Sequence, residues 1–283
     1  MRIPESRLAL PLAALFVVCF VAPLFVLLAL SLQAGTEAQG FSLGRVSIAH
    51  YRDFFADGFN DRILAQTLLL GIKVTAVCLL FGFPVAWIAA RARAGWQSTL
   101  TLLIVLPILT SVVVRTFAWI VILGRHGIVN QLLQWLGLTS DPVNLLFTET
   151  GVIIVLAQVQ MPLMVLPIMT VLSKLDPNLL DASQALGAGP WRTLRRVVVP
   201  LAAPGILAGC ILTYAASVTA FVTQTLIGGA RLVYMPLRIY QEAMGANNWP
   251  YAAAISIIFM VAVLAVIAIA GKVGNLTRSR VHA

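Results

Sequence analysis

Acidic residues are scarce in this chain. Ten Asp and Glu stand against nineteen Lys and Arg among 283 residues, and only 10% of the sequence is charged. Soluble domains carry about a quarter of their residues as charges, so this chain cannot clothe a water-facing surface. Cysteine is rare too: Cys19, Cys78 and Cys210 fall in apolar stretches and form no C-x-x-C, while His50, His126 and His282 are scattered. No structural metal is expected from that set, and isolated buried cysteines behave as small hydrophobes. An intramembrane hydrolase would need an acid pair, His-x-x-x-His or Gly-x-Ser-x-Gly, and none is present. A phosphate-cradling G-x-x-x-x-G-K-[ST] is also missing, since neither Gly271-Lys272 nor Gly187-Ala188-Gly189 satisfies it. This chain is therefore expected to bind no cofactor, and any ATP is bound elsewhere.

What the chain does have is apolar length: 60% of its residues are hydrophobic. A bilayer core of about 30 Å needs roughly 20 apolar residues per spanning helix. Six runs meet that length, at 8–32, 66–90, 99–123, 150–173, 203–229 and 250–271. The first follows Arg2 and Arg7 but is too long for a signal h-region of about 15 residues, and no clear cleavage site follows Leu32. The expectation is an all-α integral membrane protein of six transmembrane helices, one transmembrane domain over 1–283.

Cations set the orientation. With the N-terminus inside, Arg2, Arg7, Arg91, Arg93, Lys174, Arg192, Arg195, Arg196, Lys272, Arg278 and Arg280 are cytoplasmic. Arg45, Arg52, Arg62, Arg125, Arg231 and Arg238 are external, offset by Glu37, Asp53, Asp57, Asp61, Asp141, Glu149 and Glu242. Both termini are then expected in the cytoplasm. A net charge of +9 concentrated on one side of apolar spans indicates a membrane surface, not nucleic acid.

Every run carries or begins with proline, at Pro11 and Pro23, Pro84, Pro107, Pro162 and Pro167, Pro204, and Pro250, so kinks are expected. In the outer loops, Ser47 can cap a helix with Ile48, Tyr51, Phe54 and Phe55 on one face. Ile128, Leu132, Leu133 and Leu136 recur at helical spacing before Gly137. Both segments suit either surface lids or contact with an external partner.

The cytoplasmic loop at 176–200 is the most informative stretch. Asp176 can cap a helix starting at Pro177, Gly187 supplies a left-handed stop, Pro190 starts a second helix and Pro200 limits it. Leu179, Leu180, Ala182, Ala185 and Leu186 give the first helix an apolar flank around Asp181. Such a flank outside the bilayer needs a partner's groove or the membrane surface to bury it.

Asp181-Ala182-Ser183, Gly187 and Pro200 resemble the cytoplasmic "EAA" motif of ABC importer permeases, with Asp and Ser in place of the usual Glu and second Ala. Val114-Arg115-Thr116-Phe117-Ala118-Trp119, Met164-Val165-Leu166-Pro167, Ala203-Pro204-Gly205-Ile206-Leu207-Ala208-Gly209 and Asn248-Trp249-Pro250 are similar to the spermidine/putrescine-type branch of type I importers. The resemblance implies a bacterial inner-membrane permease subunit that pairs with a homologous second permease. It further implies two copies of a cytoplasmic ABC ATPase, which hold the ATP and Mg, and a periplasmic substrate-binding protein. By the same resemblance Asp181, Ala182, Ser183, Leu186, Gly187, Pro190, Arg192 and Pro200 form the ATPase-coupling site.

Polar groups at membrane depth are costly, at least about 2.5 kcal/mol per charge. Lys73 and Arg115 therefore either snorkel and bond carbonyls, or line a pathway. Ser111, Arg115 and Trp119 are spaced by four, as are Thr213, Ser217 and Phe221 with Gln224 close by; Gln158 and Gln160 lie at similar depth. Pathway lining and helix-to-helix hydrogen bonding both account for them. The resemblance suggests a polyamine as solute. The absence of acids from the runs suggests a zwitterionic or anionic amino compound instead, such as an opine, an amino-acid derivative or an aminoalkylphosphonate. A secondary transporter is the rival class, one that would need no coupling loop.

Overall fold

The computed structural model describes residues 5–34, 46–176 and 178–279. Arg2, Glu37, Arg45, Pro177, Arg280 and His282 lie outside them. The described residues are helical apart from turns and one isolated bridge between Gln33 and Val46. In chain order the helices are α1 (Glu5–Ser31), α2 (Ala49–Ala56), α3 (Gly58–Arg91), α4 (Ala94–Val105), α5 (Val112–Leu123), α6 (Ile128–Trp135) and α7 (Glu149–Leu172). They continue with α8 (Asn178–Ala185), α9 (Pro190–Thr193), α10 (Val199–Val218), α11 (Phe221–Gly228), α12 (Met235–Tyr240) and α13 (Trp249–Ser279).

Among the described residues, five helical stretches are long and apolar enough to cross a bilayer: Gly58–Arg91, Val112–Trp135, Glu149–Leu172, Pro190–Val218 and Trp249–Lys272. The protein is a multi-pass membrane protein. Helix α1 has 27 residues and covers the first apolar run. The runs expected at 66–90, 150–173 and 250–271 fall on α3, α7 and α13.

Two expected spans are not single helices. The run at 99–123 breaks at Pro107, which has no N–H and displaces the carbonyl one turn earlier. The chain tightens into a 3-10 turn over Leu106–Leu109, leaves the helix at Thr110 (φ −94°, ψ 147°) and Ser111, and restarts as α5. The run at 203–229 breaks at Thr219 and Ala220 (φ −74°, ψ 63°), between α10 and α11.

Pro200 does not end its helix, contrary to expectation. A π-turn over Leu194–Val198 precedes it, with the Val199 amide donating to the Leu194 carbonyl, and the helical stretch runs from Pro190 to Val218. The wider turn makes room for the proline ring where an α-turn would clash.

The helices group into two compact units. One comprises Met1–Leu64 and Met235–Ala262. Its fully buried Asn60 donates to Asp57 Oδ2 (2.9 Å) and to the Tyr251 hydroxyl (3.0 Å), and accepts from Arg238 Nε (3.1 Å). Arg238 also pairs with Glu242 at 2.6 Å. Phe54 of α2 is fully buried while Phe55, and Ile48 just before the helix, are exposed, so the outer face expected over 48–55 is divided; the N-cap residue is Ile48 and not the expected Ser47, whose Oγ accepts from the Ala49 amide (3.1 Å).

The other unit comprises Ala65–Tyr234 and Val263–Ala283. Helix α7 is its axis, with Val152, Val155, Leu156, Met164, Val165 and Ile168 buried. A helix apolar on all sides belongs inside a bundle. Gly205 and Gly209 bring α10 onto it: an added Cβ would lie 2.7 Å from the Pro167 carbonyl oxygen or 2.9 Å from that of Met164. Small residues four apart permit such close backbone approach between membrane helices.

Candidate functional site

The two helix breaks face one cavity. It is an open cavity of about 470 Å³ lined by Ile108, Val112 and Arg115 from the first break, and by Val159, Gln160 and Leu163 of α7. Residues 216 and 219–223 complete it from the second break. A broken helix inside a membrane leaves backbone groups that only protein partners or a wet cavity can satisfy. Here the last carbonyls of α10 all have partners. Ala215 accepts from the Thr219 amide and hydroxyl, and Ala216 from Gln160 Nε2 at 3.2 Å. Ser217 and Val218 accept from Gln224 Nε2 at 2.8 and 3.2 Å.

The residues expected to line a pathway therefore separate into groups. Arg115, Gln160 and Phe221 border this cavity. Trp119 and Gln158 border a second, mainly apolar one of about 380 Å³, where Trp119 Nε1 donates to Gln158 Oε1 at 3.0 Å. Ser217 and Gln224 are inside the subunit, and the Ser217 hydroxyl donates to the Thr213 carbonyl at 2.6 Å. The break thus divides the stripe expected over 213–224. Ser111 stands outside α5 as its N-cap residue, so it does not share a helical face with Arg115 and Trp119.

Arg115 is incompletely bonded. Its Nη2 reaches the Thr110 carbonyl at 3.4 Å, while Nε and Nη1 are shielded from solvent without a hydrogen-bond partner. Lys73 is different: Nζ pairs with Glu149 Oε1 at 2.6 Å, both side chains about half exposed (47% and 45%). Glu149, expected in an outer loop, occupies the first turn of α7. There an acid also complements the helix dipole, and Thr148 Oγ1 accepts from the Gly151 amide. Burial, and then the Glu149 charge, hold the nearby Tyr234 hydroxyl above its usual range.

In the cytoplasmic loop, Asp176 Oδ1 accepts from the Asn178 amide at 2.9 Å at the start of α8. Gly187 closes the helix at φ +79°, with the Ala188 amide returning to the Ser183 carbonyl at 3.1 Å. A side chain at Gly187 would meet nothing within 4 Å, so its constraint is backbone conformation and not a steric clash with a bulky substitute. The Ser183 and Thr193 hydroxyls join α8 to α9 at 2.9 Å. Leu180 is buried as the anchor, whereas Asp181, Ala182, Pro190 and Arg192 are exposed and Pro200 is half-buried. Leu186 (88% exposed) and Trp191 (74%) project farthest.

Sequence reasoning missed Glu149 as the partner of Lys73, and it missed the threonines. Thr116 and Thr223, both buried, approach at 3.2 Å across α5 and α11, next to the cavity. The signal available for the second break was the Ser217-Val218-Thr219 run, since threonine hydroxyls bonded back to a preceding carbonyl loosen helices.

Residues 3–278 match the family model described as "Binding-protein-dependent transport system inner membrane component". The chain is 34% identical over 221 residues to the spermidine/putrescine transport system permease protein PotB of Haemophilus influenzae, covering 78% of this chain and 77% of that protein. It is 33% identical over 183 residues to the molybdenum transport system permease protein ModB of Azotobacter vinelandii, covering 63% and 79%. Among solved structures, a bacterial alginate ABC transporter in complex with an alginate pentasaccharide-bound periplasmic protein superposes with a TM-score of 0.75 at 19% identity, over 97% of this chain and 94% of that one.

Proposed function

The chain belongs to the binding-protein-dependent transport system inner membrane components, and we propose that it is one permease subunit of an ATP-driven importer of a small amine-bearing solute in a bacterial inner membrane. The observation that carries the reading is the α8–α9 pair. It is an exposed, apolar-tipped helix turn fastened at Ser183–Thr193 and rooted in the helical stretch that becomes α10. An apolar helix outside the bilayer seeks a groove, and in an importer that groove belongs to an ATPase. Movement of α8 passes through the π-turn into α10, whose far end borders the cavity between the breaks, so the loop and the cavity are two ends of one lever.

In this reading the chain carries no catalytic residue. Two copies of a cytoplasmic ATPase bind ATP and Mg, a homologous second permease supplies the facing wall, and a periplasmic binding protein delivers solute. Both termini lie in the cytoplasm. Polyamines are the solute class indicated by the spermidine/putrescine relatives. A specific observation favours a second solute class: the lining of the cavity between the breaks contains Arg115 and no acid. That lining suits a zwitterionic or anionic amino compound.

The test is purification of the intact complex, followed by uptake into proteoliposomes with trapped ATP. ATP-dependent uptake of labelled spermidine, putrescine or an acidic amino compound supports the importer. Uptake that persists without nucleotide identifies a secondary transporter and overturns it.

A further inference from the structure

We propose that the cavity between the two helix breaks is an anion subsite, in which Arg115 takes the carboxylate or phosphonate of the transported solute. The inference rests on the reading that this cavity lies on the solute's path, and it narrows the solute class.

Three observations carry it. First, Arg115 borders the cavity with only a long bond from Nη2 to the Thr110 carbonyl (3.4 Å); Nε and Nη1 have no partner but are shielded, so the side chain must turn to bring them to a solute, and the cavity lining supplies no carboxylate to neutralise them. An unpaired guanidinium at membrane depth is costly, and an oxyanion satisfies it with charge-assisted bonds. Second, α5 and α11 both start at this cavity, at Val112 and Phe221, and neither has a side-chain cap. First-turn amides carry the positive end of the helix dipole; at the second break the end of α10 opposes the start of α11, whose Phe221 amide already donates to the Thr219 carbonyl at 2.8 Å, so it is the start of α5 that reinforces Arg115. Third, the neighbouring polar side chains are occupied elsewhere: Gln160 on the Ala216 carbonyl, Thr219 on Ala215, and Thr223 with Thr116. None of them carries a charge that would neutralise the guanidinium. About 470 Å³ is room for a small solute. A diamine would find the Phe221 ring and neutral acceptors as favourable faces, against a full positive charge with no acid to balance it.

The test reads the local charge directly, whatever the transported solute. In the intact importer complex, Val222→Cys, or Leu163→Cys should the first variant fail to assemble, is exposed to anionic sulfonatoethyl and cationic trimethylammonioethyl methanethiosulfonates. Rates are normalised to a free thiol, and labelling of the parent complex is subtracted. The expected result is a preference for the anionic reagent of about tenfold or more, retained by Arg115→Lys and lost in Arg115→Met. Protection is expected from 4-aminobutyrate or 2-aminoethylphosphonate and not from putrescine. A cationic preference, a preference unmoved by Arg115→Met, protection by neither acid, or protection by putrescine overturns the anion subsite alone and leaves the importer reading standing. Failure of both cysteines to label in the resting or the hydrolysing complex removes the cavity from the path and overturns the shared premise.

Discussion

Replacing Gly205 with Ala puts one methyl group into the tightest backbone contact between α10 and α7. The added Cβ would lie 2.7 Å from the Pro167 oxygen, 3.0 Å from the Ile168 Cα and 3.0 Å from the Val171 Cγ2. Relaxed carbon contacts are about 3.5–4.0 Å, and two of these three neighbours are backbone that no rotamer change can move. Helix α10 must then withdraw by roughly half an ångström, which forfeits a quarter or more of the dispersion well along the seam. Overpacking of this kind costs about 1–3 kcal/mol, and alanine's better helix propensity returns up to about 1 kcal/mol. Gly271→Ala is the control, because a Cβ there meets nothing within 4 Å and only the propensity gain remains. The propensity gain is common to both, so the two variants are expected to differ by about 1–3 kcal/mol, or roughly 2–5 °C in thermal midpoint at this chain length. The assay is thermal unfolding of the purified complex, followed by size-exclusion of the soluble fraction after heating. Equal midpoints, or a Gly205→Ala complex more stable than Gly271→Ala, would refute the claim that glycine at this position is there to seat α10 on α7.

Other perturbations test the remaining arguments. Gln224→Leu strands the Val218 carbonyl inside the subunit and leaves that of Ser217 to the backbone amides of the turn; a loss of about 1–3 kcal/mol is expected, along with faster amide hydrogen exchange over 217–224, and unchanged exchange would show that the break needs no side-chain cap. Gly187→Asn is expected to keep uptake, because asparagine tolerates φ > 0. Gly187→Val strains the turn by about 1–2 kcal/mol and is expected to lower uptake per ATP hydrolysed at normal membrane abundance; equal coupling ratios for the two variants would contradict this. Lys73→Met and Glu149→Gln break a half-exposed pair worth about 0.2–1 kcal/mol. In a double-mutant cycle the pair is expected to couple within that range, and additive effects would show that the 2.6 Å contact contributes nothing.

Membrane residence and the existence of most helices were legible in composition alone. A run of about 20 apolar residues has one low-energy form in lipid, because only a helix satisfies its backbone internally. Gly187 was legible for a similar local reason: a glycine after a capped helix, followed by Gly189-Pro190, ends the helix in the left-handed region, and it does at φ +79°. Pro107 announced a break in the third run, although not that the chain would leave the helix altogether at Thr110 and Ser111. The break at Thr219 and Ala220 had only the weaker marker of the Ser217-Val218-Thr219 run. Hydropathy is continuous across it, and the break depends on side chains distant in sequence, above all Gln160, that satisfy the loosened carbonyls.

The site shows the same division. Arg115, Gln160 and Phe221 stand out in the sequence as polar or aromatic residues at membrane depth, but spacing by four implies stripes along straight helices, and the breaks redirect them. Ser217 and Gln224 turn inward to satisfy backbone, while Trp119 and Gln158 pair beside a separate cavity. Lys73 reads as an uncompensated charge because Glu149, 76 positions away, falls outside the apolar runs. The amino-acid order alone determined the lipid-facing helical architecture, the cytoplasmic turn and the want of a phosphate-binding loop, since these follow from local backbone chemistry and residue type. Only the tertiary structure decided which polar groups remain unpaired, because hydrogen-bond and ion-pair partners are chosen by packing between segments far apart in the chain, and that choice leaves Arg115 facing the cavity.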